Sequence, residues 1–206
     1  MRDSTIKQLI CDKIDKLPYG SVFVISDFLD FAESDTIKQN LKRFTDEGFI
    51  KRLAFGIYYK PKYSKLLHEE EAVDINEVAK AIARNYNWTI TPSGEYSLNV
   101  LGLSTQVPAY YEYISSGPYR EYYIDNMLIR FLHRNLKETH GFSFMTSLVI
   151  QALKTIGKDN ISNEQIEIIR NRLNSKEKSV LLLESKKTTT WIYKIIKVIC
   201  EEDTNV

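Results

Sequence analysis

The sequence is poor in cysteine and has no long apolar run. Its two cysteines, Cys11 and Cys200, have no partners at metal-ligand spacing, so nothing indicates a disulfide framework or an oxidising compartment. No apolar stretch approaches the ~18 residues of a transmembrane helix. Residues 1–16 carry charges throughout and show no apolar core of a signal peptide. We therefore expect a cytoplasmic protein with buried thiols and no membrane partner.

Catalytic signatures are missing too. The sequence contains no GxxxxGK[ST] phosphate loop, no GxSxG elbow, no HExxH motif and no CxxC pair. We therefore predict that the protein is not an enzyme and uses no cofactor or metal. The alternative is a nuclease whose metal-binding carboxylates, Glu112, Glu121 and Asp125, lie in a predicted sheet.

Net charge is small, at +1 for 206 residues, and by itself predicts no polyanionic partner. The charge is, however, unevenly distributed along the chain. Residues 38–65 contain eight basic and two acidic side chains, whereas residues 1–37 and 66–206 each carry a net negative charge. A local excess of this size is typical of a surface that binds phosphates. An ordinary solvated face is the alternative.

The first 65 residues show the element order of a winged helix-turn-helix domain. Apolar residues at helical spacing predict a first helix, and the run Val22–Val24 predicts a short strand. Ser26 caps a predicted short second helix, and Ser34 or Asp35 caps a third. Two strand-like runs within residues 49–60 flank a glycine turn and predict a hairpin, the wing.

The predicted third helix is the candidate recognition helix for the major groove of DNA. At 100° per residue, Gln39, Lys42 and Arg43 face away from its apolar stripe. Glutamine can contact adenine in a bidentate manner, and arginine can contact guanine or phosphate. The predicted DNA-binding residues are Lys38, Gln39, Lys42, Arg43, Lys51, Arg52, Phe55, Lys60 and Lys62. The alternative is a winged helix that binds a protein and not DNA.

The remaining residues predict a second domain of mixed composition. The charged segment 63–74 reads as a linker, which gives domains at 1–65 and 66–206. Strand-like runs between 109 and 133 follow a helical stripe and predict an α/β region with a small antiparallel sheet. Helical spacing from residue 144 onward predicts a helical C-terminal region. The fold class predicted for the whole chain is α+β.

Two sequence motifs resemble a known family. Residues 41–44, 48–53 and 56–59 resemble the signature "L-x-R-L … G-x-I-x-R-L … G-x-Y" of AbiEi-type antitoxin winged helices. Residues 88–104 resemble the start of the C-terminal region in the same group. The matching positions are Arg43, Arg52, Gly56 and Tyr58, whereas Phe44 replaces the usual leucine. The resemblance spans about residues 5–135 and weakens after that.

The resemblance implies a bacterial regulator from an abortive-infection, or toxin–antitoxin, system. Its winged helix would bind double-stranded DNA at the promoter of its own operon and repress transcription. Its C-terminal domain would counteract a nucleotidyltransferase-type toxin, functionally if not by direct contact. A homodimer or cooperative monomers would serve paired half-sites in the DNA.

Overall fold

The computed structural model describes residues 2–66, 68–134 and 141–201 of the chain. Contacts divide the chain into two compact units, Met1–Trp88 with Tyr122–Asn126, and Thr89–Glu121 with Met127–Val206. The first unit therefore extends past the sequence-based boundary at residue 65. Residues beyond that boundary belong to it because a helix over 75–86 contacts its strands.

The N-terminal elements follow the predicted order. They are α1 (Arg2–Lys16), β1 (Val22–Val24), a single 3-10 turn (Ile25–Phe28), α2 (Ser34–Asp46), β2 (Lys51–Ala54) and β3 (Ile57–Tyr59). The three strands form an antiparallel sheet in the order β1-β3-β2. The predicted second helix is thus only one 3-10 turn, and α2 begins after Glu33, whose side chain makes no cap hydrogen bond.

The core of the first unit comes from the stripes that the sequence predicts. Ile10 and Ile14 of α1 and Ile37 and Leu41 of α2 have no exposed surface. Residues at i and i+4 lie on one face of a helix, so each helix presents two of these side chains to the same core. Full burial of one such side chain contributes about 1.5–3 kcal/mol. This packing fixes which face of α2 remains available to solvent.

The predicted linker 63–74 contains a second, smaller sheet. Strands β4 (Tyr63–Ser64) and β5 (Glu69–Glu70) pair antiparallel, with Tyr63 opposite Glu70. Helix α3 (Ile75–Tyr86) follows, and the Asp74 side chain accepts hydrogen bonds from two of its first-turn amides. Arg84 of α3 donates to both oxygens of Asp27 at 2.9 Å, which joins α3 to the 3-10 turn.

The elements after α3 include a four-stranded sheet. They are β6 (Ile90–Pro92), α4 (Gly94–Leu101), β7 (Tyr111–Ser115), β8 (Arg120–Ile124) and β9 (Met127–His133), and the strand order is β6-β7-β9-β8. The prediction of an antiparallel sheet holds for β6 and β7, but β7 and β9 are parallel. The chain reverses direction before and after β8, so β9 runs in the same direction as β7. The sheet is therefore mixed.

The C-terminal region is helical, as the sequence predicts. Its helices are α5 (Phe144–Ile156), α6 (Asn163–Arg172), α7 (Ser175–Ser185) and α8 (Thr190–Cys200). The predicted capping box of Ser162 and Gln165 begins α6. The α+β fold class is confirmed. Cys11 and Cys200 form no disulfide bond and are only partly buried. Among the described residues, no helix combines the length and apolarity that crossing a membrane requires.

Candidate nucleic-acid interface

The outer face of α2 carries the residues that the helical spacing places there. Gln39, Lys42 and Arg43 are exposed, while Ile37 and Leu41 are buried on the opposite side. Within the described part of the chain, neither Lys42 nor Arg43 has a carboxylate within ion-pair distance. The two cations and the amide are therefore available to an external partner.

A cleft lies between α2 and the β2–β3 hairpin. We call it the α2–hairpin cleft; its volume is about 280 Å³ and it is lined by Ile25, Lys38, Lys42, Thr45, Asp46, Arg52, Phe55, Gly56 and Tyr58. Helix and hairpin each contribute cations, so predicted binding residues that are distant in sequence come together here. Asp46, at the C-terminal end of α2, is the one carboxylate in this lining.

The hairpin side of the cleft presents Arg52 and Phe55. Phe55 is 75% exposed at the turn, and the Arg52 guanidinium lies 5.4 Å from the centroid of its ring. The Arg52 Nε donates to the Ala54 carbonyl at 3.3 Å. The turn also requires Gly56, whose φ of 74° falls in the left-handed region that other residues seldom adopt. The tip therefore offers a cation and an exposed ring side by side.

Tyr58 contributes a nearly buried phenol to the lining of the cleft. It is 5% exposed and stacks on Phe23, with ring centroids 6.1 Å apart. Burial raises the pKa of the Tyr58 phenol, although the positive charges of Arg52 and Lys38 each lower it. The register of the hairpin places Tyr58 opposite Arg52, which explains this electrostatic contact.

Other predicted cations are paired with carboxylates. Lys51 of β2 pairs with Glu70 of β5, and Lys62 pairs with Glu71 at 2.7 Å. Lys38 contacts Asp35 at 3.0 Å, one turn earlier in α2. The acidic run that follows the basic segment therefore folds back and neutralises two of its lysines.

Lys60 corrects the sequence-based prediction. It is only 4% exposed, and its Nζ donates to the carbonyl oxygens of Ile14, Asp15 and Leu17 at 2.9–3.0 Å. The last carbonyls of a helix have no partner within the helix, and here the ammonium satisfies carbonyls at the end of α1. Lys60 is thus a structural residue and not a DNA-binding one.

The sequence-based prediction also omits five residues that line the cleft, of which Thr45 and Tyr58 carry hydroxyl groups. Thr45 lies three residues after Lys42, a spacing that puts both on the same side of a helix. This signal was available in the sequence. Tyr58 matches the family-like motif, but its position beside Arg52 depends on the hairpin register, which the sequence does not specify.

Two of the three carboxylates of the nuclease alternative have other partners. Glu112 accepts a hydrogen bond from Ser93 Oγ at 3.0 Å, and Glu121 accepts one from Arg130 Nε at 2.8 Å. Hydrogen bonds from Tyr119 and Arg130 lower the pKa of Glu121. In the parts of the chain that the structure covers, no three His, Cys, Asp or Glu side chains are grouped to hold a metal ion.

A protein family of unknown function, DUF6088, matches residues 9–181. The chain belongs to this family. In this DUF6088 chain the matched range contains every residue of the α2–hairpin cleft. A comparison with curated proteins gives no match. Membership assigns no residue a role, so the DNA-binding residues and the resemblance to AbiEi-type antitoxins stay predictions.

Proposed function

We propose that the first unit binds duplex DNA as a winged helix-turn-helix, with α2 as recognition helix and the β2–β3 hairpin as wing. The observation that supports this most is the continuity of the α2–hairpin cleft with the exposed face of α2. Gln39, Lys42 and Arg43 on the helix and Arg52 and Phe55 on the hairpin offer groups suited to base edges and phosphates.

The residues divide into two roles by their chemistry. Gln39 and Arg43 have the side chains that recognise adenine and guanine through paired hydrogen bonds in the major groove. Lys42 and Arg52 supply charge for the phosphate backbone, which positions the protein without reading sequence. Phe55 is an exposed apolar side chain at the tip of the wing, where contact with the minor groove is expected.

The regulatory role rests on the resemblance to AbiEi-type antitoxins. Under this proposal the protein represses its own operon, and the region after α3 counteracts a nucleotidyltransferase-type toxin. Co-expression with a nucleotidyltransferase-like reading frame adjacent to its gene tests this part. Rescue of growth is expected, and the absence of rescue contradicts the antitoxin role without affecting the DNA-binding proposal.

A gel-shift titration tests DNA binding. The full chain is titrated onto DNA from upstream of its own gene and onto a scrambled duplex of the same composition, at 150 mM salt. We expect a shift that prefers the upstream DNA and that Gln39→Ala and Arg43→Ala weaken. Lys194→Ala, an exposed lysine on α8, is the matched control and retains binding.

The main alternative is a protein-interaction module. Equal affinity for both duplexes, or no effect of the α2 substitutions, would contradict sequence-specific binding. Isolation of a stable protein partner whose binding Arg43→Ala abolishes, together with absence of any DNA shift, would establish the alternative instead.

A further inference from the structure

A second cavity lies within the helical region of the second unit, at the beginning of α8. Its volume is about 200 Å³, and its polar lining comes from Gln151 and Lys154 of α5 and from Lys187, Thr188 and Thr189 before α8. The rest of the lining is apolar, and no carboxylate belongs to it. The cavity therefore combines cations, hydroxyls and an amide with an apolar wall.

The N-terminus of α8 has no side-chain cap. Thr189 holds the N-cap position with φ −66° and ψ 147°, and its side chain accepts no hydrogen bond from the helix. The first turn of α8 contains no acidic residue. The amides of Thr190, Trp191 and Ile192 have no acceptor within an α-helix. Such amides carry a partial positive charge and bind anions.

Gln151 supplies an independent observation. It is 7% exposed, yet within the described residues its side-chain amide has no hydrogen-bond partner. Buried amides are normally hydrogen-bonded within the protein, whereas the Gln151 amide keeps contact with solvent where the residue lines the cavity. Gln151 lies on α5, a different helix from the one whose N-terminus borders the cavity, so two separate elements present polar groups without a protein hydrogen-bond partner at one place.

The charges around the cavity favour an anion. Lys187 is exposed at the rim, and Lys154 also lines the cavity. Burial would raise the pKa of Glu184 on α7, but hydrogen bonds from Thr146 and Ser143, with the charge of Lys187, lower it. Glu184 accepts from Ser143 N–H at 2.9 Å and from Ser143 Oγ at 3.1 Å. This carboxylate is occupied at the start of α5 and is not part of the lining.

We propose that this cavity binds a small organic phosphate monoester. The phosphate would accept hydrogen bonds from the first-turn amides of α8, from Thr189 and from Gln151, with Lys187 as counter-ion. The carbon part would rest on Phe142 and the neighbouring isoleucines of the wall. This site lies in the second unit and does not depend on DNA binding by the first.

Titration by NMR with inorganic phosphate and phenyl phosphate, at constant ionic strength, tests the proposal. Saturable shifts are expected at the amides of Thr190–Ile192 and at the Gln151 side chain. Phenyl phosphate is expected to bind about five-fold more tightly than phosphate, because its ring adds apolar contact. No saturable shift at the start of α8, or an affinity that chloride reproduces, would overturn the proposal.

Matched variants separate this site from general charge attraction. Lys187→Ala is expected to weaken phenyl phosphate about five-fold or more, whereas Lys186→Ala, an adjacent exposed lysine outside the lining, leaves affinity unchanged. Gln151→Glu is expected to abolish binding by charge repulsion, and Gln151→Leu, which introduces no charge, is expected to weaken it. Equal losses in the two lysine variants would overturn the assignment.

The phosphate could belong to a free metabolite or to the 5′ end of a nucleic acid. A 5′-phosphorylated dinucleotide and its unphosphorylated form are therefore competed against phenyl phosphate. Competition by the phosphorylated form alone supports phosphate binding in this cavity and shows that nucleic-acid ends can supply the phosphate. Absence of competition by either restricts the site to smaller esters, and equal competition by both contradicts recognition of the phosphate monoester.

Discussion

Most exposed cations of residues 38–65 fall into two groups, one without carboxylate partners at the α2–hairpin cleft and one paired with acids, although Lys38 lines the cleft and is paired with Asp35. On the cleft side, Lys42 and Arg43 have no carboxylate partner in the described chain, and Arg52 contacts the Ala54 carbonyl and the Phe55 ring. On the other side, Lys51 and Lys62 are paired with acids. The comparison shows that a local excess of charge in the sequence overstates the charge that a partner meets.

The separation of neighbouring cations has a simple geometric origin. Successive side chains of a strand point to opposite faces of the sheet, so the Lys51 and Arg52 side chains extend in opposite directions. Arg52 faces the α2–hairpin cleft, and Lys51 pairs with Glu70 of β5. The surface at the cleft thus retains the positive charge of Arg52, while on the other surface Glu70 neutralises Lys51. In a DNA-binding protein this arrangement would limit non-specific attraction to phosphates.

The largest expected effect is on the free energy of unfolding, and it distinguishes the buried Lys60 from the exposed lysines. Lys60→Met removes an ammonium that donates to three carbonyls and leaves one acceptor buried, the Ile14 carbonyl, and two partly buried. We expect the free energy of unfolding to fall by about 2–4 kcal/mol, since unsatisfied buried polar groups are costly. Urea denaturation followed by circular dichroism measures it.

Lys65→Met is the control for this substitution, because Lys65 is exposed in the same basic segment. Its effect on the free energy of unfolding should stay within about 0.5 kcal/mol. A similar loss in both variants, or a Lys60→Met protein of normal stability with weakened DNA binding, would contradict the structural role of Lys60.

The second largest effect is on DNA affinity, and it concerns the cations that have no carboxylate partner. Arg43→Ala should weaken binding to the preferred DNA by about 1–3 kcal/mol if the guanidinium contacts a base, with relaxed specificity at that position. Lys42→Ala should weaken all sequences alike and reduce the salt slope by about one. Fluorescence anisotropy at several salt concentrations distinguishes the two. A uniform loss for Arg43→Ala would place that residue on a phosphate.

The sequence predicted the helical face well and the charge pairing poorly. The spacing of Ile37, Leu41 and Phe44 identifies the buried side of α2, because burial of apolar residues dominates its orientation. Glu70 and Glu71 reach Lys51 and Lys62 only because β5 pairs with β4. No local propensity encodes this pairing. The burial of Lys60 likewise depends on the tertiary position of the end of α1.

The same limit applies to the rest of the chain. Strand-like runs between residues 109 and 133 predict strands in this region, and the structure has strands at 120–124 and 127–133. The parallel pairing of β7 with β9 does not follow from those runs, since strand order is a non-local property. The cavity before α8 also depends on which helix packs beside it, so composition gives no indication of it.

A smaller effect on DNA affinity is expected when Lys51 loses the carboxylate that neutralises it. Glu70→Gln removes the partner of Lys51 and adds one net positive charge near the hairpin. At about 10 Å, one charge contributes roughly 0.4 kcal/mol in water, or about a two-fold gain in non-specific DNA affinity at low salt. The gain should disappear near 200 mM salt through screening. Glu77→Gln, which releases Lys80 on α3, is the control in the same unit.

The smallest effect tests whether Lys51 contributes to DNA binding at all. Because both side chains of the Lys51–Glu70 pair are partly exposed, the pair contributes less than about 1 kcal/mol to stability. Lys51→Ala should therefore change DNA affinity by less than about two-fold and leave the salt slope unaltered, in contrast to Lys42→Ala. In the background of Glu70→Gln, however, Lys51→Ala should cancel the gain described above. A salt slope that falls by about one in Lys51→Ala alone would show that the ion pair opens on DNA, and the two groups would then merge into one binding surface.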